Sequence, residues 1–267
     1  MKHFFIYSLI LLSSELFARQ IDEATFSYWN KPDSKIYYSV PESIDENTKI
    51  IFIMHGASRT AEKYINDWLP LVQNRNVVLI APKFSKESFP EYVYLMMSTE
   101  RGKLLRDESL FLTDSLGLLF DFFKAKLKLS TTTFRLYGHS GGSQFVNRYL
   151  LLSDETRIEK AAMANAGFYT FVDRQSPYPF GIKNMNVSDE RIEWFLRLKG
   201  GVFLGDADND PAHRSLPSMR KAKKQGRHRF ERGTNFFNDL IELGVENNLP
   251  FRWRYQTVPG VAHDNAG

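Results

Sequence analysis

The chain contains no cysteine. Disulfide staples, thiolate nucleophiles and cysteine-ligated zinc are therefore excluded, whatever compartment the protein occupies. Beyond the first residues there is no long apolar run of the kind a membrane span needs, about 20 residues. Internal repeats and low-complexity linkers are also lacking, which favours a single domain. No sign of charge dominates: 35 Lys+Arg against 31 Asp+Glu leaves a formal net charge of +4. That excess is too diffuse to point to nucleic acid. What is plentiful is apolar material. Hydrophobic residues make up 43% of the 267 positions and aromatics 14%, enough for a sizeable core.

The first residues read as an export signal. Met1-Lys2-His3 gives a short positive start, Phe4 to Leu12 is apolar or nearly so, and Ala18 offers a small residue for cleavage. Leu16 is larger than such a cleavage site prefers, and the alternative is an uncleaved anchor, for which the run is short. The expectation is a signal peptide at 1–18 and a mature domain at 19–267, secreted or periplasmic and not inserted in a membrane after cleavage.

Short strand-like runs alternate with helical ones. Ala24 to Trp29 and Lys35 to Val40 suggest an opening hairpin. Lys49 to Met54 and Val77 to Ala81 are rich in Ile and Val, as suits strands buried on both faces. Further runs lie at Thr133 to Tyr137, Lys160 to Ala164, Gly201 to Leu204 and Phe251 to Thr257. Helical spacing spans Asp107 to Lys126, Gly142 to Leu152 and Asn235 to Asn247. This alternation predicts an α/β fold, with a mostly parallel eight-stranded sheet covered by helices on both faces. Phe168 to Arg197 breaks the rhythm with aromatics among Pro and Gly. It reads as a cap or pocket wall, or as a satellite core beneath a loop.

Gly138-His139-Ser140-Gly141-Gly142 joins a strand to a helix. In that context G-x-S-x-G is a nucleophile elbow. A sharp turn lifts the Ser140 hydroxyl above the sheet and leaves no room for bulky neighbours. Gly141, just after the nucleophile, is a candidate oxyanion donor. Ala57 or Ser58, in the His55-Gly56-Ala57-Ser58 loop after an earlier strand, is the second. Gly205-Asp206-Ala207-Asp208-Asn209-Asp210-Pro211 follows a buried strand and holds three possible acids. Asp208 is the first choice, Asp210 the second and Asp206 the third. Calcium is the competing reading of these oxygens, but the other positions of an EF-hand loop are missing. Pro259-Gly260-Val261-Ala262-His263 places an imidazole just after the last strand. The order Ser140, Asp208, His263 matches one of the known triad orders. His55, His139, Tyr169 and Trp194 are candidate substrate contacts, and no metal site is expected.

Taken together, Met54 to Arg59, Gly138 to Phe145, Gly205 to Pro211 and Pro259 to His263 resemble α/β-hydrolases of the polyhydroxybutyrate-depolymerase and feruloyl-esterase-like group. The resemblance runs from about Thr48 onward. It implies the eight-stranded sheet, the triad and hydrolysis of carboxylic esters, polymeric or hydroxycinnamoyl, with no cofactor. A secreted peptidase or amidase using the same triad is the second reading, and a non-catalytic binding module the third. The chain departs from secreted depolymerases in having no disulfide and no polymer-binding domain. It also ends four residues after His263, where such folds add a helix, so an incomplete frame or a trimmed chain is expected. His213 to Arg232 is rich in Arg and Lys and reads as a solvated face, with attraction of an acidic substrate as the alternative. It has almost no interleaved aromatics, so nucleic acid is not an expected partner.

Overall fold

The Ile- and Val-rich runs become the middle of an eight-stranded sheet in the computed structural model, which describes residues 19–267. The expected leader at 1–18 lies outside the described residues. The strands are β1 (Asp22–Phe26), β2 (Ser34–Ser39), β3 (Lys49–Met54), β4 (Val77–Lys83), β5 (Phe134–His139), β6 (Ile158–Ala164), β7 (Lys199–Gly205) and β8 (Arg254–Val258). Their spatial order is β1-β2-β4-β3-β5-β6-β7-β8. β2 pairs antiparallel with both β1 and β4, and every other pairing is parallel. Parallel strands need crossovers, and helices supply them. Both faces are thereby covered, which is why β4 is buried through Val77 to Pro82 instead of alternating.

The helices are α1 (Ala61–Val72), α2 (Ser115–Lys126), α3 (Gly141–Leu152), α4 (Asp189–Arg197), the short turn α5 (Arg220–Lys223) and α6 (Arg229–Glu246). α1 packs on one face with Tyr64 and Ile65 against Tyr37, Ile53 and Leu79. The larger core fills the other face, around α2, α3 and the Tyr92 region. α3 is buried from Gly141 through Leu151. Even its Arg148 is enclosed: Nη1 donates to the Val93 carbonyl at 2.7 Å, and the guanidinium lies over the Tyr94 and Phe168 rings. No helix among the described residues is long and apolar enough to cross a membrane.

Three expectations change. The helix expected from Asp107 starts only at Ser115. Two 3-10 turns precede it, the first capped by Asp107 accepting from the Ser109 N–H. α6 begins at Arg229, before the expected Asn235, because the His228 side chain caps it by accepting from the Glu231 N–H. Phe168 to Arg197 is neither a cap nor a wall of the cleft described below. Phe168, Tyr169, Tyr178, Phe180 and Ile182 are buried in the main core, and the segment ends as α4. Its aromatics serve packing.

Candidate active site

Ser140 sits where β5 meets α3, and its backbone shows the strain of that turn (φ 56°, ψ −119°). Such a conformation costs a non-glycine residue about 1–3 kcal/mol and persists only where its surroundings enforce it. They do so here by close approach. A Cβ on Gly138 would lie 2.3 Å from the Gly142 carbonyl oxygen, and one on Gly141 would lie 2.8 Å from the Ala57 nitrogen. Gly141 opens α3, so its N–H has no intrahelical acceptor. The Ala57 nitrogen thus lies close against Gly141 beside the elbow. Ala57 and Ser58 are both exposed, and the Ser58 hydroxyl lies 3.0 Å from that of Thr60.

His263 lies beyond the Pro259-Gly260 turn after β8. Its Nε2 is 2.9 Å from Ser140 Oγ, and its Nδ1 is 2.7 Å from Asp208 Oδ2. The consistent tautomer has Nδ1–H donating to Asp208 and Nε2 accepting from the serine hydroxyl. Asp208, rather than Asp206 or Asp210, meets the imidazole. Asp206 Oδ1 accepts from the Gly260 N–H at 2.7 Å and so braces the histidine turn. Asp210 is exposed and accepts from the Ala212 N–H. The β7 and β8 loops are further laced by Asp206 N–H to the Val258 carbonyl and Ala207 N–H to the Val261 carbonyl. The tail is tied down by Asn265, which accepts from the Tyr137 hydroxyl and donates to Asp67.

Two residues that the sequence reading missed complete the acid. Asn165 follows β6 in a left-handed conformation (φ 45°) and bridges two loops, donating to Asp208 Oδ2 at 2.6 Å and accepting from the Gly205 N–H at 3.0 Å. Arg229, at the start of α6, donates to Asp208 Oδ1 at 3.2 Å. Burial pushes the Asp208 carboxyl up. Hydrogen bonds from His263 and Asn165, with the Arg229 charge, outweigh that and bring it down to about 2. Asn165 left a faint signal, as the residue ending a strand beside the elbow strand. Arg229 left none, because a run of basic residues looks solvated. In fact Arg229 and Arg232 of that run are each 1% exposed.

The four expected substrate contacts separate. His139 lines the cleft: its ring lies 4.8 Å from that of His263, and its Nδ1 is 3.0 Å from the Tyr64 hydroxyl. Burial, then the neighbouring His263, lowers its pKa to about 3, so it stays neutral. His55 is fully buried, with Nε2 accepting from the Phe84 N–H and Nδ1 on the Gly56 carbonyl; it braces two loops and lines neither hollow at Ser140. Tyr169 is enclosed and stacks on Phe236 at 4.3 Å. Trp194 lies under the Arg191 guanidinium, beside Ile158 where β6 begins. That is the opposite end of the parallel sheet from Ser140.

Two hollows, about 370 and 480 Å³, meet at Ser140. They share Ala57, Ser140, Arg214 and Ser215. One continues toward Lys63, Tyr64 and His139, the other toward Val93, Tyr94 and Gln144. The loop bridging them, His213 to Ser218, comes from the stretch expected to be a solvated face. Among the described residues, no group of three or more His, Asp or Glu gathers where a metal ion could be held.

Comparison with solved structures places this geometry in a family. Poly(aspartic acid) hydrolase-1 from Sphingomonas sp. KT-1 superposes with a TM-score of 0.86 at 30% identity, over 94% of this chain and 96% of that one. The chain belongs to the α/β-hydrolase superfamily. As an α/β-hydrolase it is similar in fold to the poly(3-hydroxybutyrate) depolymerase of Bordetella parapertussis (TM-score 0.83, 23% identity, 92% of this chain and 86% of that one). It is also similar in fold to a ferulic acid esterase of Anaeromyces mucronatus (0.55, 14%, 95% and 89%). Neither the protein-family models nor the curated proteins searched give a match to this α/β-hydrolase.

Proposed function

We propose that this hydrolase is an exported serine enzyme that cleaves carboxylic esters through an acyl-enzyme on Ser140. The observation that carries the reading is the unbroken relay from Ser140 Oγ through His263 to Asp208, with contacts of 2.9 and 2.7 Å. Nε2 of His263 takes the hydroxyl proton as Oγ attacks the carbonyl carbon. Asp208 holds the ring and stabilises the imidazolium. In this reading the N–H groups of Gly141 and Ala57 receive the oxyanion, and losing one such donor typically costs about 100- to 1000-fold in rate. The imidazolium then protonates the leaving alcohol, and water activated by the same nitrogen releases the acid. The sequence requires no cofactor. Export rests on the leader-like start of the chain.

Amide hydrolysis is a second reading, favoured by the relative whose name makes poly(aspartic acid) its substrate. The intermediate is common to both, and only the leaving group differs. A panel of 4-nitrophenyl esters of rising chain length, peptide anilides and poly(aspartic acid), run on the purified chain and on Ser140→Ala, tests the proposal. Ester turnover and fluorophosphonate labelling, both lost in Ser140→Ala, support it. Turnover confined to amides selects the second reading, and labelling that survives the substitution refutes both.

A further inference from the structure

A buried cation stands behind the acid, in a place that the hydrolytic steps above do not use. Arg229 is 1% exposed and Asp208 3%. From Arg229, Nη1 donates to Asp208 Oδ1 at 3.2 Å and Nη2 to Ser215 Oγ at 2.9 Å, while Nε has no partner among the described residues. The other oxygen of Asp208 is already held by His263 and Asn165. Enclosing a guanidinium costs several kcal/mol before pairing is counted. Two neutral donors would have satisfied the free lone pairs at lower cost. The fork also reaches Ser215, in the loop that borders both hollows.

We propose that Arg229 is a positioning residue for hydrolysis: it clamps Asp208 from behind, ties it to the Ser215 wall of the cleft, and offsets its charge so that His263 faces a partly neutralised carboxylate. This inference rests on the reading of Ser140, His263 and Asp208 as the catalytic groups.

The ionisable groups around this cluster come from several elements. His139 comes from β5, Asp264 from the tail, Asp208 and His213 from the loop after β7, and Arg229 and Arg232 from α6, with Tyr169 beside Asp208. His139 is held neutral by its burial, and His213 is pushed down by burial and by Arg229. Arg232 donates to the carbonyls of Gly226, Gly167 and Pro217, not to Asp208. Arg229 is therefore the one cation among these groups that contacts the acid. Without it, Asp208 would present its full charge to the imidazole and favour the protonated ring. The ascending limb of kcat/KM against pH would then move to higher pH.

The experiment compares wild type, Arg229→Gln, Arg229→Lys and Ser140→Ala on 4-nitrophenyl acetate across pH 4.5 to 9. Active sites are counted with a fluorophosphonate, and folding is checked by circular dichroism. In Arg229→Gln the limb is expected to rise by about one pH unit, and kcat per active site to fall about 10-fold with KM nearly unchanged. Arg229→Lys keeps the charge but cannot fork to both Asp208 and Ser215. It should therefore leave the limb in place and still lower kcat several-fold. A limb in Arg229→Gln that matches wild type overturns the proposal. Should that variant not fold, a wild-type kcat in Arg229→Lys overturns it instead. Undiminished turnover in Ser140→Ala would sink the triad reading itself. A dead Ser140→Ala beside an unmoved Arg229→Gln limb would sink only the role of Arg229.

Discussion

Gly142 is where the elbow helix rests on the end of β3, and replacing it with alanine should damage stability and turnover together. The added Cβ would lie 1.9 Å from the Met54 carbonyl oxygen, 2.6 Å from its carbon and 2.9 Å from the His55 oxygen. A carbon-to-oxygen contact needs about 3.3 Å, so α3 and the Met54–Ala57 strand end must part by more than about 1 Å. All the opposing atoms are backbone, and the segment is buried on both sides, so no side chain can swing away. The cost should reach the upper end of overpacking, about 3 kcal/mol. With a slope of about 3 kcal/mol/M, that moves the urea midpoint down by about 1 M. The same displacement separates the N–H groups of Gly141 and Ala57, and a shift of about 1 Å can cost about 100-fold in rate. Urea unfolding followed by tryptophan fluorescence, with kcat/KM on a 4-nitrophenyl ester, reads both. Gly260→Ala is the control: nothing lies within 4 Å of its Cβ, and only the φ of +72° is strained, about 1 kcal/mol. Wild-type stability and turnover in Gly142→Ala would refute the reasoning.

Ser140→Ala should lower ester kcat by about 10⁵-fold or more without moving the urea midpoint, and active-site labelling beside an unfolding curve checks both. Asp208 titrates near 2 when folded, below its unfolded value of about 3.9. Its stabilising contribution, roughly 2 kcal/mol, is complete above that unfolded value and is lost as pH falls from about 4 through 2. Midpoints at pH 5, 4, 3 and 2 should fall more steeply in wild type than in Asp208→Asn. Asp239 on α6 shows the opposite sign: burial first, then Glu242 and Asp173, push its carboxyl up to about 6. Its charge costs stability increasingly as pH rises from about 4 to 6, so Asp239→Asn should gain on the order of 1 kcal/mol at pH 7 and nothing near pH 4. Denaturant curves at the two pH values decide it.

The sheet was legible because its central strands are buried on both faces: β3 was located residue for residue at Lys49–Met54, and β4 differed only at its C-terminal end. The elbow was legible because its glycines answer to steric crowding, which spacing records. α1 went unassigned although its apolar residues gather on one face; Pro70 stands inside it, and proline speaks against a helix interior. Burial of single polar groups left no trace in spacing. His55 follows a buried strand and Arg229 sits in a basic stretch, and only packing shows that one braces two loops and the other supports a carboxylate. Tyr169 and Trp194 were ambiguous for a related reason. Aromatic residues suit a core and a cleft equally well, and the sheet's direction decides between them.

His263 rides on β8, an edge strand that, among the described residues, has a neighbour on one side only. Its loop is fastened by the Asp206 brace and by Asn265. Edges fray before centres do. Warming or mild denaturant should therefore detach the imidazole while the remaining strands keep their shape, leaving a molecule that is still folded, and still spectroscopically native, but already silent.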